Sequence, residues 1–109
     1  MSVLAVFTTV DTLDAARAMA RALVERRLAA CAHVAPVESF YRWQGELHDE
    51  SEFSVQFKTT AACYPALAAA IRALHSYQLP DIHALVLDEV DPSYARWLEQ
   101  GSAPEAGNE

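Results

Sequence analysis

Val3 to Val10 (VLAVFTTV) is an unbroken run of apolar and threonine positions rich in β-branched residues, and its length predicts a buried strand rather than a helix. The period then changes. From Thr12 to about Arg27, Leu13, Ala16, Ala20, Leu23 and Val24 recur at helical spacing, with Asp14, Arg17, Arg21 and Glu25 between them. Asp11 is expected to cap this helix, with Asp11 and Asp14 spaced as a capping pair. Leu28 to Trp43 reads as a long bent strand in which Pro36 removes a backbone donor, so a bulge or an edge position is expected there. Gln44-Gly45 is a two-residue turn. Phe53, Val55 and Phe57 alternating with Ser54, Gln56 and Lys58 give the returning strand of a long hairpin, whose tip from Glu46 to Glu52 is expected to stand in water.

Thr60 is expected to cap a second helix running through Leu74, with Leu67, Ile71 and Leu74 on one stripe and Pro65 making the first turn irregular. After Pro80, Ile82 to Leu87 predicts a fourth apolar strand. Asp91-Pro92 then supplies a cap and a first-turn proline for a short helix ending near Gln100, with Gly101 as its stop and Tyr94 and Trp97 as its packing face. The order β-α-β-β-α-β belongs to the α+β class: a ferredoxin-like split βαβ, with a four-stranded antiparallel sheet carrying both main helices on one face, followed by a short C-terminal helix. Residues 1–101 are expected to form one domain and residues 102–109 a disordered tail.

This arrangement leaves a problem. One sheet face is bare in a lone copy, yet the first and fourth strands are apolar at nearly every position, as in strands buried on both faces. No further helix in the sequence is long enough to cover that face, so further copies of the chain are the economical cover, and a homo-oligomer is predicted.

Composition narrows the partners. Of 109 residues 52% are hydrophobic, which excludes a disordered chain, and the net charge of −7 repels nucleic-acid phosphates and anionic membranes. The start lacks the basic region of a signal peptide and no run has the length of a membrane helix, so a cytoplasmic protein is expected. Cys31 and Cys63 are too few for a disulfide framework and too far apart for a CxxC motif, which fits a reducing compartment.

The three glycines, Gly45, Gly101 and Gly107, cannot build a phosphate-cradling loop or a dinucleotide fingerprint. There is no GxSxG or HExxH, and no nucleophile with an evident base, so the chain is not expected to be an enzyme. Cys31 and His33 lie on the same side of one strand, either as a core thiol beside an unrelated histidine or as a soft and a borderline ligand suited to copper. His75, near the end of the second helix, either complements the helix dipole or contacts a ligand. His48, Asp49, Glu50 and Glu52 either hold a hard cation loosely or form a solvated hairpin end that resists edge aggregation, and the run is read as solubilising. Tyr41 and Trp43 share a strand face beside the turn, with Lys58 on the return strand, and suit a subunit interface or a small-molecule pocket between subunits.

Five segments, VFTTVD, RRLAACAHVAPVESFYRWQGEL, VQFKTTAACYPAL, HSYQLPDIHAL and DPSYARWL, resemble the CutA divalent-cation-tolerance family in the same order and spacing over nearly residues 3–99. The resemblance implies a ferredoxin-like protomer in a tight homotrimer, similar to the PII signalling proteins, with hairpin arms crossing to neighbours. It also implies a role in the response to divalent metal ions, with copper or another divalent metal bound. Some family members are described as binding copper through a first-strand cysteine and two adjacent histidines. Those positions are Phe7, Leu74 and His75 here, so only His75 matches, and the family's HPYE reads HSYQ, which puts Gln78 where a carboxylate would stand. One imidazole does not hold a metal tightly, so weak binding is expected at His75, Cys31 and His33. An alternative implied by the PII likeness is a trimeric sensor binding a small anion or metabolite in the inter-subunit cleft, with Lys58 supplying charge, Tyr41, Trp43 and Tyr77 the walls, and His75 a proton-linked contact.

Overall fold

The computed structural model describes residues 2–103. Its elements are β1 (Val3–Val10), α1 (Leu13–Glu25), β2 (Cys31–Trp43), β3 (Glu46–Thr60), α2 (Tyr64–Leu74), β4 (His83–Val86) and α3 (Pro92–Gly101). The strands form one antiparallel sheet in the order β2-β3-β1-β4, the ferredoxin-like arrangement predicted from the sequence.

One face of the sheet builds the main core. Val6, Val10, Val55 and Phe57 point to it and pack with Ala16, Met19 and Leu23 of α1 and Leu67, Ala70 and Ile71 of α2. Each large side chain buried there is worth roughly 1.5–3 kcal/mol, so these residues dominate the energetics of the fold. The hairpin follows from its turn. Gln44 and Gly45 both have positive φ, 51° and 82°, which is the backbone twist of a type I′ turn. From that turn the register runs unbroken from Trp43 opposite Glu46 to Cys31 opposite Lys58, so Pro36 makes no bulge; it lies on an edge strand, opposite Phe53.

Several sequence expectations are corrected. The cap of α1 is Thr12, whose side chain accepts from the Ala15 N–H at 3.0 Å, while Asp11 stands outside the helix. The cap position of α2 is Cys63, which makes no side-chain cap bond; Thr60 is the last residue of β3, and its hydroxyl accepts from the Cys63 N–H. The second strand begins at Cys31 rather than Leu28, because Leu28 and Ala29 serve as a buried connection after Arg27 turns the chain with φ 60°. The fourth strand is shorter than expected and is not buried on both faces: Leu85 is 56% and Val86 62% exposed in the protomer. Among the described residues it is an edge strand with no neighbour beyond it.

The second face is not bare throughout. Helix α3 lies across one end of it, burying Val3, Ala5 and Leu98 outside the main core. Its packing residue is Leu98; Tyr94 and Trp97 stack on each other at 5.8 Å and stay exposed, contrary to expectation. Gly101 ends α3 against the chain after α1, where a Cβ would come within 2.8 Å of the Ala30 Cβ, so its lack of a side chain permits the approach. Ser102 is buried and its N–H donates to the Leu98 carbonyl, while Arg27 donates to the carbonyls of Gln100 and Ala103. The rest of the expected tail, 104–109, lies outside the described residues.

Candidate functional site

Strand alternation divides the candidate residues between the faces. Residues directly opposite in the sheet share a face. Cys31, Lys58, Ala5 and Leu85 therefore form one row on the second face, and His33, Gln56, Phe7 and His83 form the next. Beyond α3 this face is wet: His33 and His83 are exposed, and Phe7, which stacks on His83 at 5.1 Å, is half-buried. Cys31 and His33 are thus neighbours on one face, as expected. The Cys31 thiol meets the Tyr94 hydroxyl at 3.7 Å.

His75 lies elsewhere. It follows α2, and its Nε2 is 2.9 Å from the Thr9 carbonyl and 3.0 Å from the Thr8 hydroxyl, which is on the helix-covered side of β1. Its Nδ1 accepts the Tyr77 backbone N–H at 3.2 Å. Because Nδ1 accepts and a carbonyl can only accept, the proton sits on Nε2 and both nitrogens are engaged. His75 therefore acts as a peg that fixes the segment after α2 against the end of β1. The one in-plane lone pair, on Nδ1, is taken by the Tyr77 N–H, so none is free for a metal in this arrangement. Among the described residues, no three His, Cys, Asp or Glu side chains gather as a metal would require.

The peg positions Tyr77. Its hydroxyl donates to the Glu52 carboxylate, and its ring packs 4.9 Å from that of His75. Glu52 is only 7% exposed, so it is not part of a solvated hairpin tip. The turn explains this: counting back from Trp43 opposite Glu46 puts Glu52 opposite Val37, on the same face as Ser39, Tyr41 and Trp43. Tyr41 donates to Glu50 and stacks on His48 at 5.2 Å. Burial and the hydrogen bond to Glu52 raise the Tyr77 phenol above its usual range, and the hydrogen bond to Glu50 pushes Tyr41 up to about 12.

These groups line a cavity of about 650 Å³ between the hairpin and the segment after α2, with Thr9, Tyr41, Trp43, Glu52, Tyr77 and Asp81 in its wall. Three of the five residues expected in a cleft are therefore together. Lys58 is six residues along β3 from Glu52, under the end reached by α3, and His75 stands behind Tyr77; neither lines the cavity. Glu52 reads from the sequence as part of a solvated hairpin end, and Asp81 is not singled out, since acids near a hairpin and a loop look like surface residues.

The family described as CutA1 divalent ion tolerance protein matches residues 4–101. The chain belongs to the CutA1 divalent ion tolerance family. The CutA divalent-cation tolerance protein of Thermus thermophilus is 42% identical over 98 residues, covering 89% of this chain and 95% of that protein. The mouse protein CutA is 37% identical over 91% of this chain, but only 56% of its own length is matched. Among solved structures, the divalent cation tolerance protein of Thermus thermophilus superposes with a TM-score of 0.89 at 40% identity, covering 93% of this chain and 99% of that one. CutA of Xylella fastidiosa superposes with a TM-score of 0.91 at 34% identity, covering 94% and 100%. The CutA fold thus accounts for nearly all of the described residues.

Proposed function

We propose that the protein acts in divalent-cation tolerance as a homotrimer that binds copper or another divalent ion weakly and exchangeably and catalyses no reaction. The observation that supports this reading most directly is the second sheet face, left open beyond α3, on which Cys31 and His33 stand together. Packing three such faces around an axis shields Leu85 and Phe7 and brings the metal-binding side chains of different copies near one another, so that two ligands per chain can add up to a site. His75 joins a metal only by giving up the Tyr77 N–H or the Thr9 carbonyl. A reducing, cytoplasmic setting suits the two free thiols. No helix among the described residues is long and apolar enough to cross a membrane. The net charge of −7 disfavours nucleic acid and anionic lipid as partners.

Calorimetric titration of the metal-free protein with Cu(II), and with Cu(I) under reductant, tests the assignment. Cys31→Ser and His33→Ala are each expected to weaken binding, and His75→Ala to leave it nearly unchanged. Heat unaltered in both of the first two variants removes them as ligands.

A second reading is favoured by the aromatic cavity: a PII-like sensor that takes a small molecule in the cleft between subunits. Tyr41, Trp43 and Tyr77 then serve as its apolar walls, and its volume falls in the range of small-molecule sites, about 300–1,000 Å³. A ligand held there by the native state raises the melting temperature, increasingly as its concentration exceeds its dissociation constant, which a thermal-shift screen detects.

A further inference from the structure

We propose that the cavity between the hairpin and the segment after α2 binds a small organic cation, an alkylammonium ion with a short apolar body, seated on Glu52 between the rings of Tyr41, Trp43 and Tyr77. The inference rests on the small-molecule reading of this cavity and gives the ligand a charge, opposite to the anion that a contribution from Lys58 would favour.

Three observations carry it. The first is the charge of the wall. Glu52 and Asp81 line the cavity, and no Lys or Arg does among the described residues. An anion would enter against two carboxylates, within a molecule already at −7. Asp81 is engaged with His83 Nδ1 at 2.7 Å, which leaves Glu52 as the principal acid.

The second is the condition of Glu52. A carboxylate that is 7% exposed is costly unless its charge is answered. Among the described residues it accepts one hydrogen bond, from the neutral Tyr77 hydroxyl, and forms no ion pair. Lys58 is about 20 Å away along the strand at ~3.3 Å per residue, and His75, with Nδ1 accepting, carries no charge to offer. An ammonium group entering the cavity supplies the missing positive charge.

The third is the character of the remaining wall. Aromatic faces carry negative potential and attract cations within about 6 Å, most strongly tryptophan. The rings of Tyr41, Trp43 and Tyr77 line the cavity with the acid. The cavity is also too large for a bare metal ion, and no three His, Cys, Asp or Glu side chains gather among the described residues to coordinate one.

Calorimetry on the full chain with four probes tests the assignment: butylammonium, tetramethylammonium, the neutral butanol and the anionic butyrate, each as a millimolar series at constant ionic strength, with magnesium chloride as a competitor. Butylammonium is expected to bind about tenfold or more tightly than butanol, butyrate to give no heat, and Glu52→Gln to abolish the preference while keeping an acceptor for Tyr77. Binding of butanol equal to that of butylammonium, or preference for butyrate, overturns the cation assignment but leaves the small-molecule cavity standing. Silence from every organic probe overturns both. Magnesium binding that depends on Glu52, without binding of either ammonium ion, assigns the acid to a metal and also overturns the proposal. If Glu52→Gln does not fold, the probe series on the unaltered chain decides alone.

Discussion

At the scale of single residues, the site is a chain of hydrogen bonds that starts at β1 and ends at Glu52. The Thr8 hydroxyl is wholly buried with His75 Nε2 as its partner, so His75→Ala strands it and also releases Tyr77. A loss of about 1–3 kcal/mol is expected in urea denaturation. The phenols report the same arrangement. Both Tyr41 and Tyr77 are raised above the usual ~10, Tyr41 to about 12. A raised phenol pKa means that the folded state holds its proton more firmly than the unfolded chain. The stabilisation is therefore complete below ~10 and is lost as pH climbs through the folded value, so denaturation midpoints are expected to fall in the window from ~10 to 12. Burial and the contact with Cys31 raise Tyr94 as well, so ultraviolet titration of phenolate should show three late tyrosines, and Glu52→Gln should bring Tyr77 earlier. An unchanged late step in that variant removes Glu52 as a cause. Little of this was legible in advance. Thr12 and Asp11 are both good caps one position apart, and only the extended backbone at Thr12 chose between them. The chain after α2 has no period at all, so nothing in the order of its residues announced that it folds back to put Tyr77 on Glu52.

Elements were far easier to read, because each rests on a repeating signal. Alternation at Phe53, Val55 and Phe57 fixed β3, and the Gln44-Gly45 pair fixed the register of thirteen residues of β2. That register, carried past Tyr41 by simple counting, also placed Glu52 on the face of the aromatic rings, so its place in the site rather than in a solvated tip was within reach. What periodicity could not supply was the exposure of β4, since an apolar run looks alike in a central strand and in an edge strand. The turn carries a prediction. Gly45 sits at φ 82° with open space around it, so the cost of a side chain there is conformational alone. Gly45→Val is expected to destabilise by roughly 1–2 kcal/mol, and Gly45→Asn by much less, since asparagine tolerates this region. Gly101→Ala fails for the opposite reason: the backbone is ordinary, but the new methyl meets Ala30, and roughly 1–3 kcal/mol is expected for prying α3 from the chain beneath it. Thermal melts of the three variants distinguish strain from crowding.

For the whole molecule, the decisive fact is an imbalance between its faces. The main core is closed by α1 and α2, whereas α3 covers only the end of the second face at Val3 and Ala5. Beyond it stand Leu85 and Phe7, and among the described residues the outer edge of β2 offers a long row of unpaired backbone groups interrupted only at Pro36. Exposed edges and apolar faces of this kind drive association unless a partner closes them, and a rotationally closed assembly removes both at once without growing into a fibre. On the trimeric reading proposed above, the chain is expected to sediment as three copies at micromolar concentration. Leu85→Asp places a charge on that face without touching the core of the protomer, and it should shift the distribution toward single chains while leaving far-ultraviolet circular dichroism unchanged. The consequence for the site separates this from a general surface effect. If neighbouring copies bring the metal-binding side chains together, dilution or Leu85→Asp must weaken copper binding in step with dissociation. Copper affinity that stays constant as the assembly falls apart would mean that Cys31 and His33 act within one chain, and the shared site would be discarded.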